Sequence, residues 1–265
     1  MMFSNIKFVL LWTDALVFLL IAMTSVFCYL SLVKGSLRSA LVKVYRRPMN
    51  MIAIVFLLFY VFIGILDSIH FRYRLPGDLD GEVDYAHEVT SVLDTILSPI
   101  HDQYEKSYSA PFATHSFAKE MQKNDQDEIT WVVPRLIYGG NHLTDVGQKE
   151  QDIASRVLTG ILIGSLAWSI GLIMCWFVFR RKIKPFKLWK GKYPVAFKST
   201  ALTLLFISVV VAVCFELKNV YHILGTDKVG RDVFYLSIKG IRTGLVIGTL
   251  TTLVMLPFAL FFGTI

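Results

Sequence analysis

The stretch 222–232, HILGTDKVGRD, sets two glycines, two aspartates, a lysine and an arginine within eleven residues, between long apolar runs. Such a mixture invites phosphate chemistry. A P-loop needs G-x-x-x-x-G-K followed by Ser or Thr, after a strand. Gly225 and Gly230 have the glycine spacing, but Arg231 and Asp232 follow, and Lys228 sits inside the loop. No G-x-G-x-x-G is present either, so no nucleotide and no other cofactor is expected. The residues do support a turn and a helix start. Gly225 and Gly230 permit positive φ. Thr226 or Asp227 could cap a helix beginning at Lys228 or shortly after. Asp227 and Asp232 could pair with Lys228 or Arg231, and exposed pairs of this kind add little stability.

The other reactive side chains are scattered. His70, His87, His101, His115 and His142 fall between 67 and 156, with no H-x-x-x-H or H-E-x-x-H spacing. They read as surface histidines, and no metal is expected. Ser107, Ser109 and Ser116 lie near histidines, but there is no G-x-S-x-G elbow. The expectation is a protein that is not an enzyme. Cys28, Cys175 and Cys214 all sit inside or at the ends of apolar runs, which fits small buried hydrophobes better than a disulfide framework.

The elements that must carry these residues are apolar helices. Of 265 residues, 54% are hydrophobic and 14% aromatic. A helix crossing the hydrocarbon core needs about 20 mostly apolar residues. Five runs approach that length: Phe8–Val33, Met49–Leu66, Val157–Phe179, Ser199–Phe215 and Thr243–Ile265. The first is too long for the core of a cleavable signal peptide, and no small-x-small site follows it. Asp14, and Asp67 just past the second run, read as interfacial or capping residues.

Charge sets the orientation. The linker 34–48 holds five basic residues and no acid, and 180–198 holds eight and no acid. Short Lys/Arg-rich loops stay in the cytoplasm. The segment 67–156, with sixteen of the twenty acidic residues, then falls on the opposite side, together with the N-terminus and 216–242. The basic residues flank spans on one side only, so the formal charge of +7 points to anionic headgroups of the bilayer rather than to nucleic acid.

The expected fold is an all-α integral membrane protein, with about five spanning helices and a roughly ninety-residue external segment, mostly helical with little strand. Its parts are 1–66, two spans joined by a basic linker; 67–156, external; 157–215, two further spans; and 216–265, the glycine-bearing turn, an interfacial helix and the last span. Within 67–156 the apolar spacing predicts an amphipathic helix over Glu82–Tyr108, kinked or ended by Pro99 near Ser98. A short strand is expected over Thr130–Val133 and a turn over Tyr138–Asn141. A short interfacial helix is expected from Val233, with Arg231, Lys239 and Arg242 at the membrane surface.

The pattern His222-x-Leu224-Gly225-Thr226-Asp227-x-x-Gly230-Arg231-Asp232, followed by Gly240-x-Arg242 and Gly248, resembles the signature preceding a transmembrane domain in dipeptide, oligopeptide and nickel ABC-transporter permeases. Residues 45–72 are also similar to that subunit's opening: basic residues, a span, then an external segment. Leu236 and Gly244 stand where the family often has arginine and serine. The resemblance implies a bacterial inner-membrane (cytoplasmic-membrane) subunit with 67–156 in the periplasm. It implies a second permease subunit, cytoplasmic ATPase subunits and an external substrate-binding protein as partners. In the family the signature opens a domain of five further spans carrying an EAA-type loop, and no EAA-x-x-x-G occurs here, so an enlarged variant shortened at its C-terminus is expected. The alternative is a membrane-anchored sensor whose external segment binds a partner.

Overall fold

The computed structural model describes residues 6–33, 43–74, 85–123, 129–179 and 196–264. Most of both basic linkers, and residues 82–84 of the expected 82–108 helix, lie outside these residues. In chain order the elements are β1 (Ile6–Val9), α1 (Trp12–Val33), α2 (Pro48–Ser68), β2 (His70–Tyr73), β3 (Thr90–Ser91), α3 (Val92–Ile96), α4 (Ser98–His101), β4 (Glu120–Lys123) and β5 (Ile129–Val132). A single 3-10 turn at Val146–Gln148 then leads into α5 (Lys149–Phe179), α6 (Phe197–Lys218) and α7 (Val233–Thr264).

Among the described residues five helices, α1, α2, α5, α6 and α7, are long and apolar enough to cross a membrane. Their large side chains remain exposed along much of their length, among them Leu162, Leu166 and Met174 on α5 and Phe206 on α6. Apolar surface this continuous needs an apolar surrounding, so the chain is membrane-embedded. Cys28 and Cys175 are exposed on it too, and Cys214 is partly so; all three thiols are free. The expectation of buried cysteines is corrected to that extent, because these helix faces have no protein neighbour among the described residues.

The chain divides into two compact units. One comprises Met1–Leu41, Leu57–Ser98 and Ser237–Ile265; the other comprises Val42–Phe56 and Pro99–Leu236.

In the first unit β1, β2 and β3 form an antiparallel sheet in that order. Its register sets Lys7 opposite Arg72, Val9 opposite His70 and His70 opposite Ser91. The pairing takes residues 6–9 out of the first span, which starts at Trp12 rather than Phe8. Ser91 then starts α3: its hydroxyl accepts from the Asp94 N–H while the Asp94 carboxylate accepts from the Ser91 N–H. The described residues 85–91 are not helical, and the helix begins only after this capping box. The described part of 67–156 is largely turns and short strands, unlike the helical segment expected.

In the second unit α5 and α6 pack antiparallel. Gly160 and Gly164 form a G-x-x-x-G face, and a Cβ at either would overlap the Val213 or Val209 backbone. Small residues at this spacing let helix backbones approach closely in a membrane. The Trp168 indole N–H donates to the Ala201 carbonyl at 2.9 Å, and the Ser208 hydroxyl donates to the Gly164 carbonyl at 2.8 Å. Leu143, Leu217 and Tyr221 form the buried cluster at the end of this pair, with Phe112, Ile153 and Val157 against it. Strands β4 and β5 pair antiparallel, and β5 realises the strand expected near Thr130.

Helix α7 is a single helix from Val233 to Thr264, where an interfacial helix followed by a separate span was expected. No glycine or proline interrupts 233–239, so the amphipathic first turns continue directly into the apolar run.

Candidate functional site

The turn 222–232 belongs to the second unit, and its residues meet 105–109 and 137–139. Gly225 and Gly230 have φ of +75° and +79°. These values favour glycine, and space demands it as well: a Cβ at Gly225 would overlap the Ser109 carbonyl, and one at Gly230 the Glu105 carbonyl. The Glu105 N–H donates to the Gly230 carbonyl at 2.9 Å. The Thr226 hydroxyl donates to the Ser107 carbonyl at 2.8 Å and lies 3.0 Å from the Ser109 hydroxyl. Thr226 therefore fastens the turn rather than capping a helix.

Asp227 closes the turn on itself. Its carboxylate accepts from the Val229 and Arg231 N–H groups at 2.9 and 2.8 Å, and the Arg231 side chain approaches at 3.3 Å. Burial opposes its charge slightly, but these backbone donors hold the carboxyl below its usual range. The capping role falls to Asp232, whose Oδ1 accepts from the Phe234 and Tyr235 N–H groups at 2.8 and 3.1 Å. The helix thus begins at Val233, later than the sequence suggested.

The other oxygen of Asp232 lies 2.7 Å from Nδ1 of His222, and Nε2 of His222 lies 3.3 Å from Oε1 of Glu105. All three side chains are 2% exposed. Glu105 also accepts from three successive backbone N–H groups, those of Ile137 at 2.9 Å, Tyr138 at 2.8 Å and Gly139 at 3.2 Å. Burial disfavours the imidazolium, but the bonds to Asp232 and Glu105 outweigh it and push His222 up to about 9. Burial likewise works against the Glu105 anion, but His222 and the three N–H donors carry it down to about 2. Both imidazole nitrogens are engaged, leaving neither a lone pair for a metal nor a base for catalysis. The arrangement is an ionic clasp.

Beside the clasp Tyr221, 2% exposed, donates its hydroxyl to Asp152 at 2.9 Å. Burial first, and then this bond to a carboxylate, push its phenol up to about 12. Leu224 is exposed.

The signature continues into the first unit, where Arg242 holds a second cluster. Its guanidinium lies 3.1 Å from Oδ1 of Asp14 and 3.5 Å from Oδ2 of Asp67, and it donates to the Asp67 carbonyl at 3.3 Å and to the Thr13 hydroxyl. It also faces Nε2 of His70 at 3.3 Å. A guanidinium only donates, so Nε2 accepts and the His70 proton sits on Nδ1, 2.9 Å from Asp14. Lys239 reaches Asp94 at 2.9 Å and Asp67 at 4.0 Å, and the Ser91 hydroxyl donates to Asp67 at 3.0 Å.

These contacts correct three expectations. His70 is buried, not a surface histidine, because β2 carries it in from the end of α2. Asp14 does accept from the Leu11 N–H as a cap, but it is 0% exposed and ion-paired. Arg242 is 16% exposed and engaged by carboxylates rather than riding at a surface, whereas Arg231 is exposed.

Glu105 and Asp94 were not singled out in the sequence, and Lys239 was expected at the membrane surface rather than paired with Asp94. One local signal existed: Ser91-x-x-Asp94 is a capping-box spacing. Among the described residues no group of His, Cys, Asp and Glu side chains is arranged to hold a metal ion. Gly240, Gly244 and Gly248 recur every fourth residue on α7, and a Cβ at each would meet open space among the described residues. No protein-family model, curated protein or solved structure matches the chain.

Proposed function

We propose that the chain is a membrane-spanning subunit of an importer of the dipeptide, oligopeptide or nickel ABC type. Cytoplasmic ATPase subunits supply the energy, a second permease subunit shares the path, and an external protein delivers the substrate. The observation that carries this reading is the correspondence between the resembling residues and the clasp. His222, Gly225, Thr226, Asp227, Gly230 and Asp232 are the residues that shape, fasten and cap the turn from which an apolar helix starts, and Arg242 anchors that helix further on. The open glycine face of α7 supports a further helix packing closely there, as a second permease subunit requires.

Deletion of the gene, followed by uptake of labelled dipeptide, oligopeptide and nickel, tests the proposal. Uptake of one of them is expected to fall and to return with the wild-type chain. Asp227→Ala or Arg231→Ala should restore it only partly, by loosening the turn without removing the buried clasp. Unchanged uptake of all three substrates in the deletion strain would contradict the proposal.

A further inference from the structure

We propose that the groove beside β1 and β2 in the first unit binds a phosphate-bearing anion. The groove has a volume of about 570 Å³ and is lined by the polar residues Lys7, Arg72, Tyr85 and His87 together with the apolar Phe8 and Leu10. Among the described residues no carboxylate lines it.

Three observations point to an anion. First, Lys7 and Arg72 stand directly opposite each other in the β1–β2 register. Like charges in that position oppose strand pairing unless a counter-charge lies between them. Second, Nε of Arg72 is buried and has no hydrogen-bond partner. A buried guanidinium N–H without an acceptor is costly, and an anion in the groove would supply that acceptor. Third, the Lys7 ammonium lies 5.2 Å from the centre of the Tyr85 ring, which holds it over the groove.

Phosphate chemistry fits better than a lone carboxylate. A guanidinium fork binds two oxygens of one anion, and a tetrahedral phosphate keeps further oxygens for Lys7 and His87. The source is a lipid headgroup or a soluble phosphoester. Phe8, Leu10 and Trp12 are exposed by 66%, 69% and 91% just where α1 begins, so the groove opens onto apolar surface at the end of a span. An aromatic residue there suits the headgroup level.

The test uses the full chain in neutral detergent, with native mass spectrometry as the readout. Short-chain phosphatidylglycerol, short-chain phosphatidylcholine and glycerol phosphate serve as probes. Phosphatidylglycerol is expected to bind more tightly than phosphatidylcholine. Lys7→Gln and Arg72→Gln should each weaken it about fivefold, the effect of one basic residue near an anionic surface. Lys119→Gln should not. Lys7 is exposed, so its substitution leaves packing intact, and Arg72→Lys should retain part of the binding. Displacement of the lipid by glycerol phosphate would assign the groove to a soluble phosphoester, and failure to displace would assign it to a headgroup. Equal binding of the two lipids, or equal losses in Lys7→Gln, Arg72→Gln and Lys119→Gln, would overturn the proposal.

Discussion

Arg242→Gln is expected to be the most damaging single substitution in the first unit. Asp14 and Asp67 are 0% and 3% exposed, and Arg242 is the cation nearest to both. Without it, Asp14 keeps His70 and the Leu11 N–H but no cation, and Asp67 keeps the Ser91 hydroxyl and Lys239 at 4.0 Å. Removing one partner from a buried ion pair leaves an uncompensated charge and costs about 3–5 kcal/mol. In a chain of this size that corresponds to a fall in Tm of roughly 10 °C, at about 2–4 °C per kcal/mol. Arg242→Lys should recover little, because one ammonium cannot serve Asp14, Asp67, Thr13 and His70 together. Asp14→Asn should partly repair Arg242→Gln by removing the stranded charge. Thermal melts of wild type and these three variants in mild detergent check this. A melt of Arg242→Gln within about 1 °C of wild type would mean the cluster is solvated and contributes little.

The second large effect is expected at His222. His222→Leu removes the cation between two buried carboxylates, and the loss should again be about 3–5 kcal/mol. The clasp also fixes a pH dependence. His222 is raised from 6.5 to about 9, so its contribution is full below pH 6.5 and disappears as pH rises through 9. Glu105 is lowered from 4.5 to about 2, so its contribution is full above pH 4.5 and disappears as pH falls through 2. Stability from the clasp is therefore greatest between these limits. Each shift corresponds to roughly 3 kcal/mol, and because both describe the same clasp they do not add. Wild type should lose this increment between pH 6.5 and 9.5, and His222→Leu should show a flat profile over that range. Nitrogen NMR should find both ring nitrogens of His222 protonated at pH 7.5. A neutral ring at that pH would contradict the clasp, whatever the melts show.

The long apolar runs made the five spans legible, since 18 or more apolar residues leave little alternative. Their ends were not. Phe8 is apolar enough to extend α1, but β2 claims β1, and that pairing joins residues more than sixty positions apart. The early residues of α7 carry Lys239 and Arg242, which suggested a break that neither glycine nor proline enforces.

The turn itself was readable from Gly225 and Gly230, because positive φ is a local property. The choice of Asp232 as cap was not, because Thr226 is drawn away by Ser107. The ionic partners were the least legible part. His222 and Glu105 are separated by 117 residues, and Arg242 and His70 by 172. No local spacing encodes such pairs, and only the fold supplies them. Gly160 and Gly164 were legible in principle, as a small-x-x-x-small pattern within an apolar run.

The central proposal is a chain embedded by five spans, with the clasped turn expected from the charge pattern on the side opposite both basic linkers. Single cysteines test it in a chain whose Cys28, Cys175 and Cys214 are replaced by alanine. Val229 and Phe117 are 64% and 80% exposed, so Val229→Cys and Phe117→Cys are accessible positions for labelling. In intact cells a membrane-impermeant maleimide should label both, and should reach Ser36→Cys and Gly191→Cys only after the membrane is opened. Labelling of Val229→Cys and Ser36→Cys from the same side would contradict the claim.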